Sequence, residues 1–482
     1  MLRTYLHRLY CCAFFLAFFS AAHASHAQGV SPYLPIKLSP ILENEIERLA
    51  NVSGMPQLTK PYSVAMIYEY LEKIHYSHPR LYSRLTASLK PYADRFSITH
   101  VEVGVLSGDT ARVMPNERGV RAENQAFVNF RGQWQMADWF AVYAGMNATS
   151  YQGSDYEDLI QASGSMLSIG VEWAQLDIGY KDFWLSPFQG SAQLLSTNAE
   201  TMPSVSLSNN LPIEFLGVRW QYLGFLTQMS RQPVKYRGVY GDDEKPLIAG
   251  LHLSMQPTDW WSIGATRVFQ FGGGERPVDL GTLVRAFFDP RGADNDASSD
   301  EQAGNQIASL VSKINFDGSV PFSFALELAG EDTSNNKNYQ LGNTAVTAGL
   351  YFPYFFSRSI SMTAEYSDWQ KAWYTNGVYD QKGYTNESVV LGHWAMQPQR
   401  ERGLAEAGTS YYLSTQWQRE NDHIVSLVAR TAEHEPETLK SSWEAEIEYV
   451  VPWHSGTLTF SVNSGKDVLG NSYDQLGFAL GY

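Results

Sequence analysis

The last seven residues of the chain alternate between large apolar and small side chains. The large ones occupy every second position: Leu476, Phe478, Leu480 and Tyr482. A period of two places them on one face of a β-strand, while glycine and alanine occupy the other face. The final strand of a bacterial outer-membrane barrel must close the sheet and face lipid, and this segment fits that role. An edge strand of a soluble sandwich is the alternative for this segment taken alone.

The same alternation recurs from residue 97 to the end of the chain, with no helical crossover between the alternating segments. It is clearest in residues 101–105, 167–180, 247–255, 322–328, 443–449 and 458–462. This pattern predicts an all-β, up-and-down antiparallel transmembrane barrel. With about 20 to 24 residues for each strand and its connection, residues 97–482 allow about 16 to 18 strands. The lumen of such a barrel is wide enough for water unless something fills it.

Before the barrel, the apolar period changes to that of a helix. Apolar stripes at helical spacing indicate three short amphipathic helices, which we expect to pack together as a small bundle on the periplasmic side of the barrel. Capping residues and prolines delimit them: Ser39 and Pro40 begin the first, Gly54 ends it, Pro61 or Ser63 begins the second, and the third runs from Pro79 to Pro91.

The first residues have the features of a signal peptide. Two arginines precede an apolar run from Leu9 to Phe19, which is too short to span a bilayer, and small-residue motifs end at Ala24 and Ala27. Both cysteines lie in this segment, so the mature chain is expected to have no disulfide. The predicted organisation is therefore a signal peptide in residues 1–27, a helical bundle in residues 28–96 and the barrel in residues 97–482.

Composition and charge agree with a membrane barrel and argue against a transmembrane helix and against binding of nucleic acid. No later segment has the eighteen uncharged apolar residues of a transmembrane helix, and the mean hydropathy of −0.28 is compatible with strands that expose only one apolar face. The chain has 28 tyrosines, 24 phenylalanines and 13 tryptophans, which suits aromatic girdles at the membrane interfaces. A formal charge of −15 argues against nucleic acid as a partner.

Motifs for catalysis or cofactor binding are missing from the sequence. It has no G-x-S-x-G and no H-E-x-x-H, and the glycines of 272–274 open no predicted helix. The acidic residues of 294–301 miss the spacing of a calcium loop, and Asp242 and Asp243 are typical of a polar turn rather than of protease acids. We therefore expect no enzyme activity, no cofactor and no metal.

Three long connections, residues 182–212, 272–305 and 371–408, are expected to face outward and to carry specificity. Sugars pack their C–H faces on aromatic rings and pair their hydroxyls with polar side chains. The candidate sugar-binding residues are Trp184, Asn209, Arg285, Asp289, Arg291, Trp373, Tyr374, Tyr379, Tyr384, His393 and Trp394. The alternative is that these rings belong to the interfacial girdle or fill the core of their own loops.

Several segments resemble the Wzi family of outer-membrane capsule assembly proteins. KDFWLSPFQGSAQLLSTNAETMP (181–203) is similar to the family's tryptophan-containing segment, and DWWSIGATRVFQFGGGERP (259–277) to one of its strand ends. LVRAFFDPRGADN, GNQIASL, FALELAGED, SMTAEYSDW and YTNESVVLGHWAM follow in the family's order. The chain departs from the family at 185–187 and 394–396, where members tend to be rich in glycine.

The resemblance implies an 18-stranded occluded barrel preceded by a periplasmic helical bundle. It also implies a non-enzymatic, lectin-like protein of the Gram-negative outer membrane, which holds exported capsular or extracellular polysaccharide on the cell surface. The expected partners are that polysaccharide, outer-membrane lipid and lipopolysaccharide, and the barrel assembly machinery during insertion. An outer-membrane porin or sugar-uptake channel is the alternative function. An outer-membrane protease or lipase is a third possibility, but the sequence has no recognisable catalytic constellation for it.

Overall fold

The structure, a computed structural model, consists of three N-terminal helices and one closed antiparallel β-barrel. It describes residues 29–108, 117–120, 125–150, 160–236, 238–274, 281, 304–333, 341–379, 383–396, 406–419, 421–435 and 439–482. The three helices of this part of the chain are α1 (Pro40–Ser53), α2 (Val64–Lys73) and α3 (Pro79–Ala93).

The barrel has eighteen strands within the described ranges, as the sequence predicts. Two of the strands, β4 and β6, are each built from two segments that pair with the same neighbour. The strands are β1 (Phe96–Gly108), β2 (Gln125–Ala137), β3 (Phe140–Thr149), β4 (Ile160–Gln161 and Met166–Val171), β5 (Ala174–Gly179), β6 (Ser204–Ser208 and Ile213–Phe215), β7 (Val218–Gln228), β8 (Leu247–Thr258), β9 (Trp261–Phe271), β10 (Gly304–Phe316), β11 (Phe322–Thr333), β12 (Leu341–Phe352), β13 (Ile360–Trp369), β14 (Gly408–Gln418), β15 (Ile424–His434), β16 (Ser442–Trp453), β17 (Gly456–Lys466) and β18 (Ser472–Gly481).

The C-terminal strand closes the barrel against β1, which confirms the role predicted for the last residues. Val103 of β1 lies opposite Leu480 of β18 in the register. Beyond the strand itself, the backbones of Val101 and Tyr482 exchange two hydrogen bonds, of 2.9 and 2.7 Å. Because the pairing is continuous around the sheet, none of the described barrel strands is a free edge.

The two faces of the barrel wall differ in polarity. On β16, Trp443 and Ile447 are 44% and 50% exposed on the outside, whereas Glu444 is 1% exposed and faces the lumen. Leucine, valine and phenylalanine are exposed in the same way on the outside of the other strands, and this is the arrangement of a transmembrane barrel. Among the described helices, none has both the length and the apolarity to cross a bilayer.

One end of the barrel has short connections, such as the two-residue turns at 138–139, 259–260 and 454–455, and is called the turn end. The other, with the long connections, is the loop end. The helices precede β1 at the turn end, because Phe96 at the start of β1 pairs with Trp134 near the β2–β3 turn.

Two sequence expectations need correction. Pro91 does not close the third helix, which continues to Ala93; a proline near the C-terminal end of a helix costs only one hydrogen bond, to a carbonyl group that solvent can reach. Residues 204–208, expected in an outward connection, form the first segment of β6 and pair with β5 and β7.

The N-terminal region does more than cover the turn end. Residues 29–95, which we call the inner plug, extend into the lumen and contact the wall on several sides. On α1, the Asn44 amide donates to the Ser361 hydroxyl at 2.9 Å and the Asn51 amide to the Ser323 hydroxyl at 2.7 Å. On the opposite side, the Tyr33 hydroxyl donates to Asp177 at 2.9 Å. The inner plug is therefore bound to inward polar side chains of the wall.

A buried ion cluster fixes α1 to the rest of the inner plug and to β10. Glu47 lies 3.3 Å from the Lys60 ammonium and 3.7 Å from that of Lys313, and it accepts a 3.0 Å hydrogen bond from the Tyr62 hydroxyl. Burial alone would raise the pKa of Glu47, but the two ammonium groups outweigh it and hold the pKa below its usual value. Glu47 is therefore ionised at neutral pH and compensates two buried cations.

We expect Glu47→Ala to loosen the inner plug without unfolding the barrel. The substitution leaves Lys60 and Lys313 buried without their counter-ion, which costs about 3 to 5 kcal/mol. Limited proteolysis of the folded barrel should then cut residues 29–95 at least tenfold faster than in the parent protein. Glu69→Ala, at an exposed position of α2, is the matched control and should leave the rate unchanged. Equal cleavage rates for Glu47→Ala and the parent would contradict the role of the cluster.

Candidate functional site

The loop end of the barrel is closed by two segments that pack on each other. Residues 181–203 and the described residues 370–379 and 383–396 form this outer plug. The Ser196 amide donates to the Leu391 carbonyl and the Asn198 side chain to the Val390 carbonyl, both at 2.9 Å. The Tyr374 hydroxyl donates to the Gln193 carbonyl. Because the two segments share these bonds, they form one packed unit.

The core of the outer plug contains most of the aromatic residues singled out from the sequence. Tyr374 and Tyr384 stack with ring centroids 5.6 Å apart, Trp373 lies 5.4 Å from Tyr374, and His393 lies 5.4 Å from Trp394. These five residues and Tyr379 are all at most 1% exposed. Their rings pack on protein in this conformation, and the sugar contacts predicted for them stay a prediction.

Burial also determines the charge state of the histidine in this core. It lowers the pKa of His393 to about 3, so the imidazole is neutral at physiological pH. Its Nδ1 accepts a 3.1 Å hydrogen bond from the Ala395 amide, which a neutral ring can do. His393 therefore stabilises the turn before the short helix Trp394–Met396. Within the described residues, no group of three or more histidine, cysteine or acidic side chains is placed to hold a metal ion.

Inward polar side chains of the wall hold the outer plug in place. Glu365 of β13 accepts hydrogen bonds from the Gln189 and Gly190 amides at 2.6 and 3.0 Å. Glu327 of β11 accepts a 3.1 Å bond from the Ser186 hydroxyl. The alternating polar positions that identify the strands thus provide hydrogen-bond partners for the backbone and side chains of the plug.

Trp184 lies where the outer plug meets the inner plug. Its backbone exchanges two hydrogen bonds with that of Lys60, of 2.8 and 3.0 Å, and its indole N–H donates to the Phe188 carbonyl at 2.9 Å. The ammonium groups of Lys37 and Lys60 lie 5.1 and 5.8 Å from the ring centroid. Segment 181–203, expected to face outward, therefore folds into the lumen at this point, where the ring packs between the plugs.

A buried ion pair joins a third connection to the same region. Arg118, from the β1–β2 connection, contacts Asp182 at 2.5 Å and also donates to the Ile36 carbonyl at 2.8 Å. Burial raises the pKa of Asp182, but the neighbouring guanidinium outweighs burial and lowers the pKa below its usual value. Arg118 thereby connects residues of both plugs.

The remaining sequence candidates fall outside this cluster. Asn209 follows the first segment of β6 toward the turn end, where its amide donates to the Leu211 carbonyl at 2.7 Å and its oxygen accepts from the Tyr222 amide at 2.8 Å. It bridges the irregular part of β6, so its expected place on an outward loop is wrong. Arg285, Asp289 and Arg291 lie outside the described residues.

An exposed hairpin on top of the outer plug is a feature that the sequence prediction missed. Its strands are Gln232–Tyr236 and Val239–Glu244. The Lys235 amide donates to the Val378 carbonyl at 2.7 Å, and the Tyr240 hydroxyl donates to the Gly377 carbonyl at 2.9 Å. The Tyr240 ring is 42% exposed, and the Lys235 ammonium lies 5.8 Å from its centroid.

We call Lys235, Tyr240, Asn376 and Gly377 the outer patch. An exposed ring beside an ammonium group can offer a sugar both a flat face and a hydrogen-bond donor. In the sequence, the segment KYRGVY indicates this hairpin, because its glycine can form the turn between two short strands.

The chain matches a protein-family model, a solved structure and several less similar barrels. The family model, described as capsule assembly protein Wzi, matches residues 104–473. The solved structure is Wzi of Escherichia coli, described as an outer membrane protein involved in group 1 capsule assembly and as a carbohydrate-binding β-barrel. It is 17% identical with a TM-score of 0.70, and the match covers 93% of this chain and 99% of that one. The comparison with curated proteins gave no match.

Two Pseudomonas aeruginosa structures are similar at a lower level. OccK10 (OpdN) has a TM-score of 0.46 and 11% identity, covering 81% of this chain and 99% of its own. OccK3 (OpdO) has a TM-score of 0.45 and 9% identity, with coverage of 80% and 93%.

The Arg118–Asp182 pair should make the outer plug sensitive to acid. The pKa of Asp182 is lowered in the folded protein, so the stabilisation is fully present above the usual value of 3.8 and is lost as the pH falls below it. Hydrogen exchange of residues 181–203, corrected for the intrinsic rate at each pH, should rise below pH 3.8 in the parent. Asp182→Asn should exchange faster at pH 7 and show little further change in acid. An acid response of the same size in both proteins would exclude this pair as its source.

Proposed function

The chain belongs to the capsule assembly protein Wzi family, and from this premise we propose that it is a lectin-like protein of the outer membrane. In this proposal it binds exported capsular or extracellular polysaccharide and holds it on the cell surface, without catalysis. The carbohydrate-binding barrel of Escherichia coli, which shares this fold, supports the assignment.

The proposal assigns an orientation to the barrel. The turn end and the helices face the periplasm, and the loop end faces the outside, as in bacterial outer-membrane barrels. The signal peptide of residues 1–27 directs export, and the barrel assembly machinery then inserts the chain among lipid and lipopolysaccharide. The apolar exterior and the exposed Trp134, Trp139, Trp260 and Trp453 toward the turn end support such a position in the membrane.

The observation that carries the proposal is the filling of the lumen from both ends. The inner plug and the outer plug each bind inward side chains of the wall, and their backbones meet at Lys60 and Trp184. This arrangement supports retention of polysaccharide outside the barrel over passage through it, and it makes the porin alternative the weaker one.

The outer patch is the described surface best suited to contact the polymer. The Tyr240 ring is fixed by its hydroxyl bond to Gly377 and presents a face to solvent, with Lys235 beside it. Each such contact contributes about 1 kcal/mol. A repeating polymer that binds many copies of the protein gains retention by avidity. The buried aromatic core gives the patch its rigid base.

Substitutions in the outer patch should weaken retention. Tyr240→Ala combined with Lys235→Ala removes the exposed ring and its neighbouring charge, so cell-bound polysaccharide should fall several-fold, with more released into the medium. Tyr76→Ala, at an exposed tyrosine of the turn end, is the matched control and should leave retention unchanged. Undiminished retention by the double variant, in a barrel that assembles normally, would remove the outer patch from the proposal.

Single-channel conductance in a planar bilayer distinguishes the lectin-like function from the porin alternative. The intact protein should give no large, stable single-channel current, because the two plugs fill the lumen. Glu47→Ala, whose inner plug is loosened, should show more frequent transient openings than the Glu69→Ala control. A large, steady current through the intact protein would favour a transport pore, with the outer patch at its mouth.

A further inference from the structure

A cavity of about 240 Å³ lies inside the lumen, well away from the outer patch. The inner plug forms one side of it, strands β14, β15 and β16 form the other, and Gln189 and Gly190 of the outer plug also line it. Its size is below that of pockets for drug-sized ligands and matches a ligand of about a dozen heavy atoms. No residue of the outer patch lines this cavity.

The lining is polar and charged, with carboxylates outnumbering cations five to three. The carboxylates are Glu43, Glu47, Glu117, Glu446 and Glu448, and the cations are Lys37, Lys60 and Arg430. Because the excess is negative, an anionic ligand would be repelled. A ligand rich in hydroxyl groups can donate to the carboxylates and accept from the cations.

Existing contacts hold several of these groups in fixed positions. The Lys37 ammonium donates to the Gln189 carbonyl at 2.5 Å, and Arg430 lies 3.5 Å from Glu446 and 5.9 Å from the centroid of the Tyr412 ring. The cavity is therefore organised before any ligand enters, which reduces the entropy cost of binding.

Two lining groups have unused hydrogen-bonding capacity. Among the described residues, the side-chain nitrogen Nε2 of Gln189 and the hydroxyl of Ser426 are buried atoms that have no hydrogen-bond partner. They belong to different walls of the cavity, the outer plug and β15. Buried polar atoms of this kind are normally satisfied by a ligand or by water.

We propose that this cavity is a second saccharide site, which takes one uncharged hexose unit. This second site rests on the proposed function for the class of its ligand. It adds an internal site for a single sugar to the outer patch, which contacts the polymer. The hydroxyls of the sugar donate to Glu446 and Glu448 and bond to Gln189 and Ser426, while the Tyr412 ring packs beside its C–H face. The excess of carboxylates selects against uronic acids.

Saturation-transfer NMR and calorimetry on the purified full-length barrel in detergent test the site with free glucose, galactose, mannose and glucuronate. At least one neutral hexose should bind with a millimolar Kd, and glucuronate should bind at least tenfold more weakly. Ser426→Phe places a ring in the cavity and should abolish hexose binding. Asn421→Phe, in the exposed β14–β15 turn, is the matched control and should bind as the parent does.

Glu448→Gln keeps the shape of the side chain and tests the site if Ser426→Phe fails to assemble. It should weaken hexose binding at least threefold and improve the relative binding of glucuronate. No hexose binding by the parent, or equal binding by the parent and these variants, would overturn the proposal and leave a cavity that holds water. Polymer retention by Tyr240→Ala with Lys235→Ala and hexose binding by Ser426→Phe are separate readouts, so the two proposals can fail independently.

Discussion

An eighteen-stranded barrel encloses more space than its own inward side chains can fill, and its inward positions are polar. Each of those groups must find a partner once water is excluded. The plugs provide these partners: Glu365 binds backbone amides of the outer plug, and Lys313 shares Glu47 with Lys60 of the inner plug. The polar lumen and the segments that fill it therefore depend on each other, and the closed loop end on which the outer patch stands follows from that dependence.

The strands could be predicted from the sequence because their signal is local. An apolar exterior next to lipid imposes a period of two on every strand, and the segments from 101–105 to 476–482 all carry it. Length limits the count to about 16 to 18 strands once the architecture is known, and the family resemblance specifies eighteen. The position of the plugs does not follow in this way. Glutamates usually face solvent, yet Glu43, Glu45 and Glu47 on α1 are buried because the surfaces that α1 meets are themselves polar.

The candidate site shows the same limit more sharply. Flat rings beside amides suit sugars, which is why the sequence predicts sugar contacts for Trp373, Tyr374 and Trp394. The same composition suits the core of a large loop, and these rings are buried. Neither the apolar alternation of the strands nor the composition of the loops reveals which aromatic ring is buried. Burial depends on contacts between segments almost two hundred residues apart, such as the one between Gln193 and Tyr374. Tyr240 is exposed for the converse reason: its hairpin lies on the outer plug as an added layer.

The pairing of β1 with β18 has a consequence for biogenesis. It joins Val103 to Leu480, so the seam is the contact of longest sequence separation in the wall and has the largest loop-closure entropy to overcome. Until the last residues arrive, the sheet is an open ribbon with two unpaired edges, and such edges are prone to aggregation. A nascent chain that lacked only its final strand would therefore need a chaperone or an assembly factor to cover both edges. The seam can therefore form only when β1 and β18 are both present.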